Sequence, residues 1–180
     1  MWYSWSGVKK PGNESQVPLT EQSHRMKARS RLLHCFPTLL DPTNIVATDA
    51  LHETYPSATD MITLWKQYLK NVHPLVMIFF DWEIELIILR ASKDLTCLTD
   101  GEQALVFAIL LIATVSLSEE QCLDLLHEKR SQVLARFQRA VEGSLLVADF
   151  IVTSDRFVLQ AFMLYLACLI QSLPFCSLKC

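Results

Sequence analysis

Glycine is scarce in this sequence: Gly7, Gly12, Gly101 and Gly143 are the four in 180 residues. That scarcity weighs against folds with many tight turns. It also removes the Gly-rich loops that cradle phosphates, because close backbone approach and positive φ both favour a residue without Cβ. Charge is thin as well, with 19% charged residues against 51% hydrophobic ones, a balance that excludes a disordered chain overall. The six cysteines (Cys35, Cys97, Cys122, Cys168, Cys176, Cys180) form no Cys-x-x-Cys pair and no close run, so the sequence encodes neither a zinc ribbon nor a binuclear zinc cluster. Nucleophile elbows, dinucleotide fingerprints and zinc-protease histidine pairs are missing too. The expectation is a protein that is not an enzyme and needs no cofactor or metal. The start, MWYSWSGVKKPG, has no apolar run after a basic stretch, so no secretory signal and an intracellular protein with cysteines as thiols are expected.

What is present is a long apolar body behind a basic front. Residues 1–40 hold six Lys/Arg against two Glu, which leaves −7 on the other 140 residues of a chain whose net charge is −3. Five of the seven prolines lie in residues 1–58, among Ser, Thr and Asn. This segment is expected to be irregular, partly disordered and basic. Within it Arg25, Lys27, Arg29 and Arg31 are candidates for contact with nucleic acid or an import receptor, since clustered cations attract both. A solvated charged loop is the plainer account of so short a run.

Residues 59–174 read as helices throughout, followed by a tail at 175–180. Met61, Leu64, Trp65, Tyr68 and Val72 recur at helical spacing after Asp60, and Pro74 ends that helix near His73. A second helix is expected to start at Asp81, whose carboxylate can accept from the free amides of the first turn, with Glu83 and Glu85 favoured by the positive end of the dipole. Its body at 84–89 is apolar on nearly every side and is expected to be buried on nearly every side. Thr99-Asp100-Gly101-Glu102 is a capping box, in which a hydroxyl and a carboxylate satisfy each other's backbone donors, and the almost wholly apolar run 104–117 follows as the central helix. Ser118-Glu119-Glu120-Gln121 repeats that logic for a fourth helix through about His127. A fifth helix, from Arg130 to about Asp149, buries Leu134, Phe137, Val141, Leu145 and Ala148 and turns Arg136, Arg139 and Glu142 to water. Thr153 or Ser154 caps the sixth, from Asp155 to about Leu173, which Pro174 stops. The expected fold class is all-α: a compact array of about six helices joined by connections of two to eight residues.

With these elements placed, residues 64–75, LWKQYLKNVHPL, resemble the opening of the fungal-specific transcription factor domain. That domain is the middle regulatory region of fungal binuclear zinc-cluster transcription factors. EQALVFAI at 102–109, Ser116 to Glu120, and LARFQRAVEGSLLVADFIVTSDRFVLQAFMLYL at 134–166 continue the resemblance in order, covering about residues 60–170. Three departures stand out. Met77 and Phe80-Asp81-Trp82-Glu83 replace the family's usual lysine and histidine-proline-threonine, so the first connection is expected to be reshaped. The family domain continues into further helices beyond a point like 169–180, so the array is expected to be truncated and its core unfinished. The zinc cluster that the resemblance would place upstream is absent from these 180 residues, so DNA contact is expected to be weak or indirect.

The resemblance implies a nuclear or nucleocytoplasmic transcription regulator, without the zinc cluster. It would act on a fungal metabolic gene cluster, for instance one for a secondary metabolite, through protein partners: a homo- or heterodimer with a related regulator, a coactivator or a corepressor. A small membrane-associated protein using the uncharged run 157–178, long enough for a bilayer core of about 30 Å, is the alternative. A non-functional remnant of a longer regulator is another. Gln160, Gln171, Ser172 and Pro174 interrupt the apolar run and argue against insertion.

Other constellations have plainer accounts. Glu120, Asp124 and His127 share a helix face at metal-ligand spacing, but without a matching acidic helix elsewhere they read as a wet face. Asp81, Glu83 and Glu85 are explained by the dipole, and His73 by the shaping of a helix end. Asn13-Glu14-Ser15 is a sequon that means nothing without secretion.

Overall fold

The helical body is built around one helix that has almost no wet side. The computed structural model describes residues 55–172. In it α1 is Ala58–Asn71, α2 Asp81–Ala91, α3 Asp100–Val115, α4 Glu119–Leu126, α5 Arg130–Val147 and α6 Arg156–Ser172. Among the described residues there is no strand. Every residue of α3 from Ala104 to Thr114 is buried. A side chain of the size of Leu, Ile or Phe contributes about 1.5–3 kcal/mol when fully buried, so this helix is the largest apolar contribution to the fold. Helices α5 and α6 make the broadest packing against it, α1 closes a further side, α2 lies at the edge against α1 and α3, and α4 sits against α1 and α5. The Tyr55 ring, just ahead of α1, stacks on Phe107 of α3 at 4.9 Å between centroids.

The ends of the helices follow local chemistry. Ser57 caps α1 by accepting from the Asp60 amide at 3.1 Å. Both capping boxes form: Thr99 with Glu102 at α3, and Ser118 with Gln121 at α4. His127 closes α4 in the left-handed region at φ 57°, its amide donating to Leu123. Arg130 Nη2 donates to the Val115 carbonyl at 2.8 Å, answering an acceptor at the end of α3.

Helix α2 starts at Asp81 as expected, and the Asp81 carboxylate accepts from the first-turn amide of Trp82 at 2.9 Å, while Phe80 before it offers no side-chain oxygen. Three expectations need correction. Helix α2 is buried on one face alone, through Ile84, Ile87, Ile88 and Ala91, while Leu86 and Leu89 are exposed, because nothing among the described residues packs outside it. Glu142 faces the core instead of water. The cap of α6 falls to Asp155, whose Oδ1 accepts from the Phe157 amide at 2.9 Å, and Thr153 supports it by accepting from the Asp155 amide. The connections keep to the expected length apart from residues 72–80 between α1 and α2, one residue longer, and a 3₁₀ turn at Leu95–Cys97, capped by Asp94, lies within the passage to α3.

Candidate functional site

Six large apolar residues of the α1–α2 region are left outside the core: Leu75, Met77, Phe80, Trp82, Leu86 and Leu89, with exposures from 84% at Leu75 to 43% at Leu89. The sequence builds this surface in two steps. Pro74 ends α1, and the chain turns back on it: the His73 amide donates to the Tyr68 carbonyl, and those of Leu75 and Val76 to Val72. Buried Tyr68 stacks between Trp65 and Phe79 at centroid distances of 5.5 and 5.6 Å, and His73 closes the group at 6.1 Å from the Tyr68 ring. The Tyr68 hydroxyl donates to the Val76 carbonyl at 3.4 Å, and Gln160 Nε2 of α6 donates to the Ile78 carbonyl at 3.0 Å. With Phe79 drawn inward, Met77 and Phe80 on either side are left exposed.

Helix α2 extends that surface. Its buried stripe leaves Trp82, Leu86 and Leu89, spaced by four and then three residues, on a second stripe in solvent. The Phe80 and Trp82 rings stack at 6.4 Å. A cleft of about 300 Å³ opens beside them, lined by His73, Met77, Ile78, Phe79, Phe80 and Asp81. Charge is ordered along the helix: Asp81, Glu83 and Glu85 come first, Arg90 and then Lys93 last. Glu83 is paired with Arg156 of α6, and Arg90 with Glu102 of α3. These pairs hold α2 to the body at both ends. A second exposed stripe, Leu159, Met163 and Ile170, runs along α6 with Leu166 half-buried between them.

The interior holds a polar group that sequence reasoning misplaced. The Tyr165 hydroxyl donates to Glu142 Oε1 at 2.6 Å, and Gln138 Nε2 donates to the same oxygen at 3.0 Å. Both Glu142 and Tyr165 are buried, beside a hollow of about 70 Å³ lined in part by Gln138, Tyr165 and Cys168. The available signal was Tyr165 itself, since a tyrosine inside an apolar helix needs a partner for its hydroxyl. Burial pushes the Cys168 thiol up to about 12, raises Cys122, and raises the Tyr55 and Tyr68 hydroxyls above their ordinary range. Cys97, by contrast, is an exposed free thiol whose Sγ donates to Asp94 Oδ2 at 3.4 Å.

The remaining candidates are placed as follows. Arg25, Lys27, Arg29 and Arg31 lie outside the described residues. Glu120, Asp124 and His127 are all exposed along α4 and its end, and among the described residues no group of three or more His, Cys, Asp or Glu is arranged to hold a metal ion. Among the described residues no helix is long and apolar enough to cross a membrane. The part of the 157–178 run beyond residue 172 lies outside them.

Along much of its length the chain is similar to fungal transcription regulators, among them transcription factors with a C6 finger domain. It is 40% identical over 112 residues to the aurofusarin cluster transcription factor of Gibberella zeae, covering 62% of this chain and 17% of that protein. It is 32% identical over 121 residues to the transcriptional regulator AacuB of Aspergillus aculeatus, covering 67% of this chain and 16% of the relative. To the C6 finger domain transcription factor nscR of Arthroderma benhamiae it is 35% identical over 106 residues, covering 57% of this chain and 15% of the relative. The matched part is thus about a sixth of the length of these curated relatives. No family model matches the chain, and no solved structure matches it significantly.

Proposed function

We propose that this chain modulates transcription of a fungal secondary-metabolite gene cluster from within the nucleus, through protein contacts and without catalysis. The observation that carries the reading is its similarity to transcription factors named for biosynthetic clusters, over 112 and 114 residues of the chain. Action through protein contacts is supported by the exposed apolar surface of the α1–α2 region. Met77, Phe80 and Trp82, where the sequence departs from the family pattern, belong to that surface and give it a character of its own. Arg25, Lys27, Arg29 and Arg31 are assigned to nuclear import, as a compact cationic run suits an acidic receptor.

The test is deletion and overexpression of the reading frame, with transcripts measured genome-wide. Coordinated change across one biosynthetic cluster is the expected result, and no change under either condition overturns the proposal. A reporter fused to residues 1–40 should concentrate in nuclei and lose that distribution when the four basic residues are replaced by alanine.

A further inference from the structure

We propose that the cleft between the end of α1 and the start of α2 binds a small organic ammonium ligand, a protonated amine carried on an aromatic or apolar body. The proposal goes beyond the regulatory reading and does not rest on it. At about 300 Å³ the cleft has the volume of a small-ligand site, which typically runs from about 300 to 1,000 Å³. Its lining has the usual make-up of such sites, apolar side chains with few polar groups: Met77, Ile78, Phe79 and Phe80, with His73 and Asp81. Buried polar atoms in folded proteins are nearly all hydrogen-bonded, so one without a partner calls for an explanation. Two such atoms belong to this region. His73 Nδ1 is buried without a hydrogen bond, while its ring packs beside Tyr68 and Phe79 at centroid distances of 6.1 and 6.3 Å. Gln160 Nε2 is spent on the carbonyl of Ile78, a lining residue, and Gln160 Oε1 is likewise buried and unpartnered.

The polar groups select the charge of the occupant. Asp81 is exposed, and its Oδ1 accepts from the Trp82 amide at 2.9 Å, which leaves Oδ2 for a ligand. Gln160 directs its nitrogen to Ile78, so what it has left is a carbonyl oxygen, which can only accept. His73 Nδ1 accepts when the ring carries its hydrogen on Nε2. All three groups thus ask for a donor, and an ammonium brings three N–H bonds together with a positive charge to meet Asp81. Among the described lining residues there is no Lys or Arg to fill that role, and Arg156, which reaches the start of α2, is committed to Glu83. An anion drawn to the positive end of α2 would find its amides engaged: that of Trp82 by Asp81, those of Glu83 and Ile84 by the Phe80 carbonyl at 3.2 and 3.4 Å. The rings of Phe79 and Phe80 add the attraction that an aromatic face exerts on a cation within about 6 Å, and with Met77 they offer apolar surface to the body that carries it.

The test is titration of the full 180-residue chain with 2-phenylethylamine, followed by the amide signals of Met77 to Asp81 in ¹H–¹⁵N spectra. Saturable shifts at those residues are expected, with 2-phenylethanol and phenylacetate, which keep the ring and lack the cation, binding weaker by about tenfold or more. Asp81→Asn should weaken the amine by a similar factor, and so should His73→Phe, which keeps a ring in the aromatic group and removes the acceptor, both with the far-UV circular dichroism spectrum unchanged. Glu120→Gln removes an exposed carboxylate on α4 and should leave the affinity as it was. Nα-acetyl-lysine amide, the same ammonium on a peptide carrier, should bind more weakly than the probe; tighter binding would assign the cleft to a lysine of a protein partner and overturn the small-ligand proposal. Absence of saturation overturns it as well, as do equal affinities for amine and alcohol, or an amine affinity that Asp81→Asn leaves unchanged or that Glu120→Gln lowers equally. None of these measurements reads transcription, so failure here and failure of the regulatory reading are separable.

Discussion

The hydroxyl of Tyr165 and the carboxylate of Glu142 meet at 2.6 Å across the contact between α5 and α6, with both residues buried. Hydrogen bonds to a charged group contribute about 1.5–3 kcal/mol, and a buried acceptor left short of donors costs a comparable amount. Tyr165→Phe should therefore lower the stability of the chain by about 1–3 kcal/mol, measured by urea denaturation. Adding Glu142→Leu to the Tyr165→Phe variant should recover part of that loss, because the buried carboxylate is removed together with the hydroxyl, and half-buried Gln138 is left as the one donor to lose its acceptor there. Additive losses would show that the two residues act independently.

Glu102 serves two structures at once. Its Oε2 accepts from the Thr99 amide at 3.0 Å, completing the capping box of α3, while its Oε1 receives Arg90 from α2. Ser118 performs the capping task at α4 on an exposed, shorter helix. Loss of a capping side chain costs about 0.5–2 kcal/mol. Ser118→Ala should fall at the low end of that range and Thr99→Ala near its middle, with Glu102→Ala exceeding both. Equal midpoints for Ser118→Ala and Glu102→Ala in thermal melts would contradict this order.

Gly101 is packed against the capping residue of another helix. A Cβ at this position would fall on the Asp155 carboxylate and within 3.1 Å of Val158 Cγ2. Helix propensity favours alanine over glycine by about 1 kcal/mol, yet here the methyl must displace the group that caps α6. Gly101→Ala is expected to forfeit the propensity gain and destabilise the protein. In an Asp155→Ala background, where the cap is already lost, the same substitution should cost less or become favourable. Equal effects in the two backgrounds, read by chemical denaturation, would falsify the coupling.

Stability should decline on the alkaline side. Burial raises Cys168 from its ordinary 9.0 to about 12 and raises Cys122, and it raises Tyr55 and Tyr68 above 10.0. A group whose folded pKa is raised keeps its proton in the fold after the unfolded chain has released its own, so its contribution is whole below the unfolded value and is lost as pH climbs. Unfolding free energies measured at pH 7.5, 9 and 10.5 should thus be flat at first and then fall from about pH 9, steepening as the tyrosines join near pH 10. In the same experiments iodoacetamide should label exposed Cys97 in the native chain, and Cys122 and Cys168 only after unfolding.

The starts of α3 and α4 were the most readable part of the sequence, because a capping box is settled within four residues. Thr99 with Glu102 and Ser118 with Gln121 needed no knowledge of the rest of the chain. The central position of α3 was readable for a related reason: a helix apolar on every side has to be surrounded. The same reasoning misjudged α2, where a run of isoleucine and leucine looks alike whether or not a neighbour covers its outer stripe. Periodicity reports which residues avoid water and is silent on whether the fold supplies enough partners. Glu142 was misread because its justification, Tyr165, lies 23 residues away on another helix. The basic group at Arg25 to Arg31 lies outside the described residues, and its assignment rests on composition.

Helix α3 also sets a schedule for biosynthesis. Residues 104–117 contain no charge, and the helices that shield them most fully, α5 and α6, are translated afterwards, with the end of α6 at Ser172. At about 5–20 residues per second, on the order of 3–11 seconds pass between the ribosome's finishing α3 and its finishing that cover. For that interval the nascent chain displays an uncharged apolar segment of the sort that cotranslational chaperones bind. Yield of intact protein should therefore depend on chaperone supply and elongation speed as much as on the stability of the finished fold.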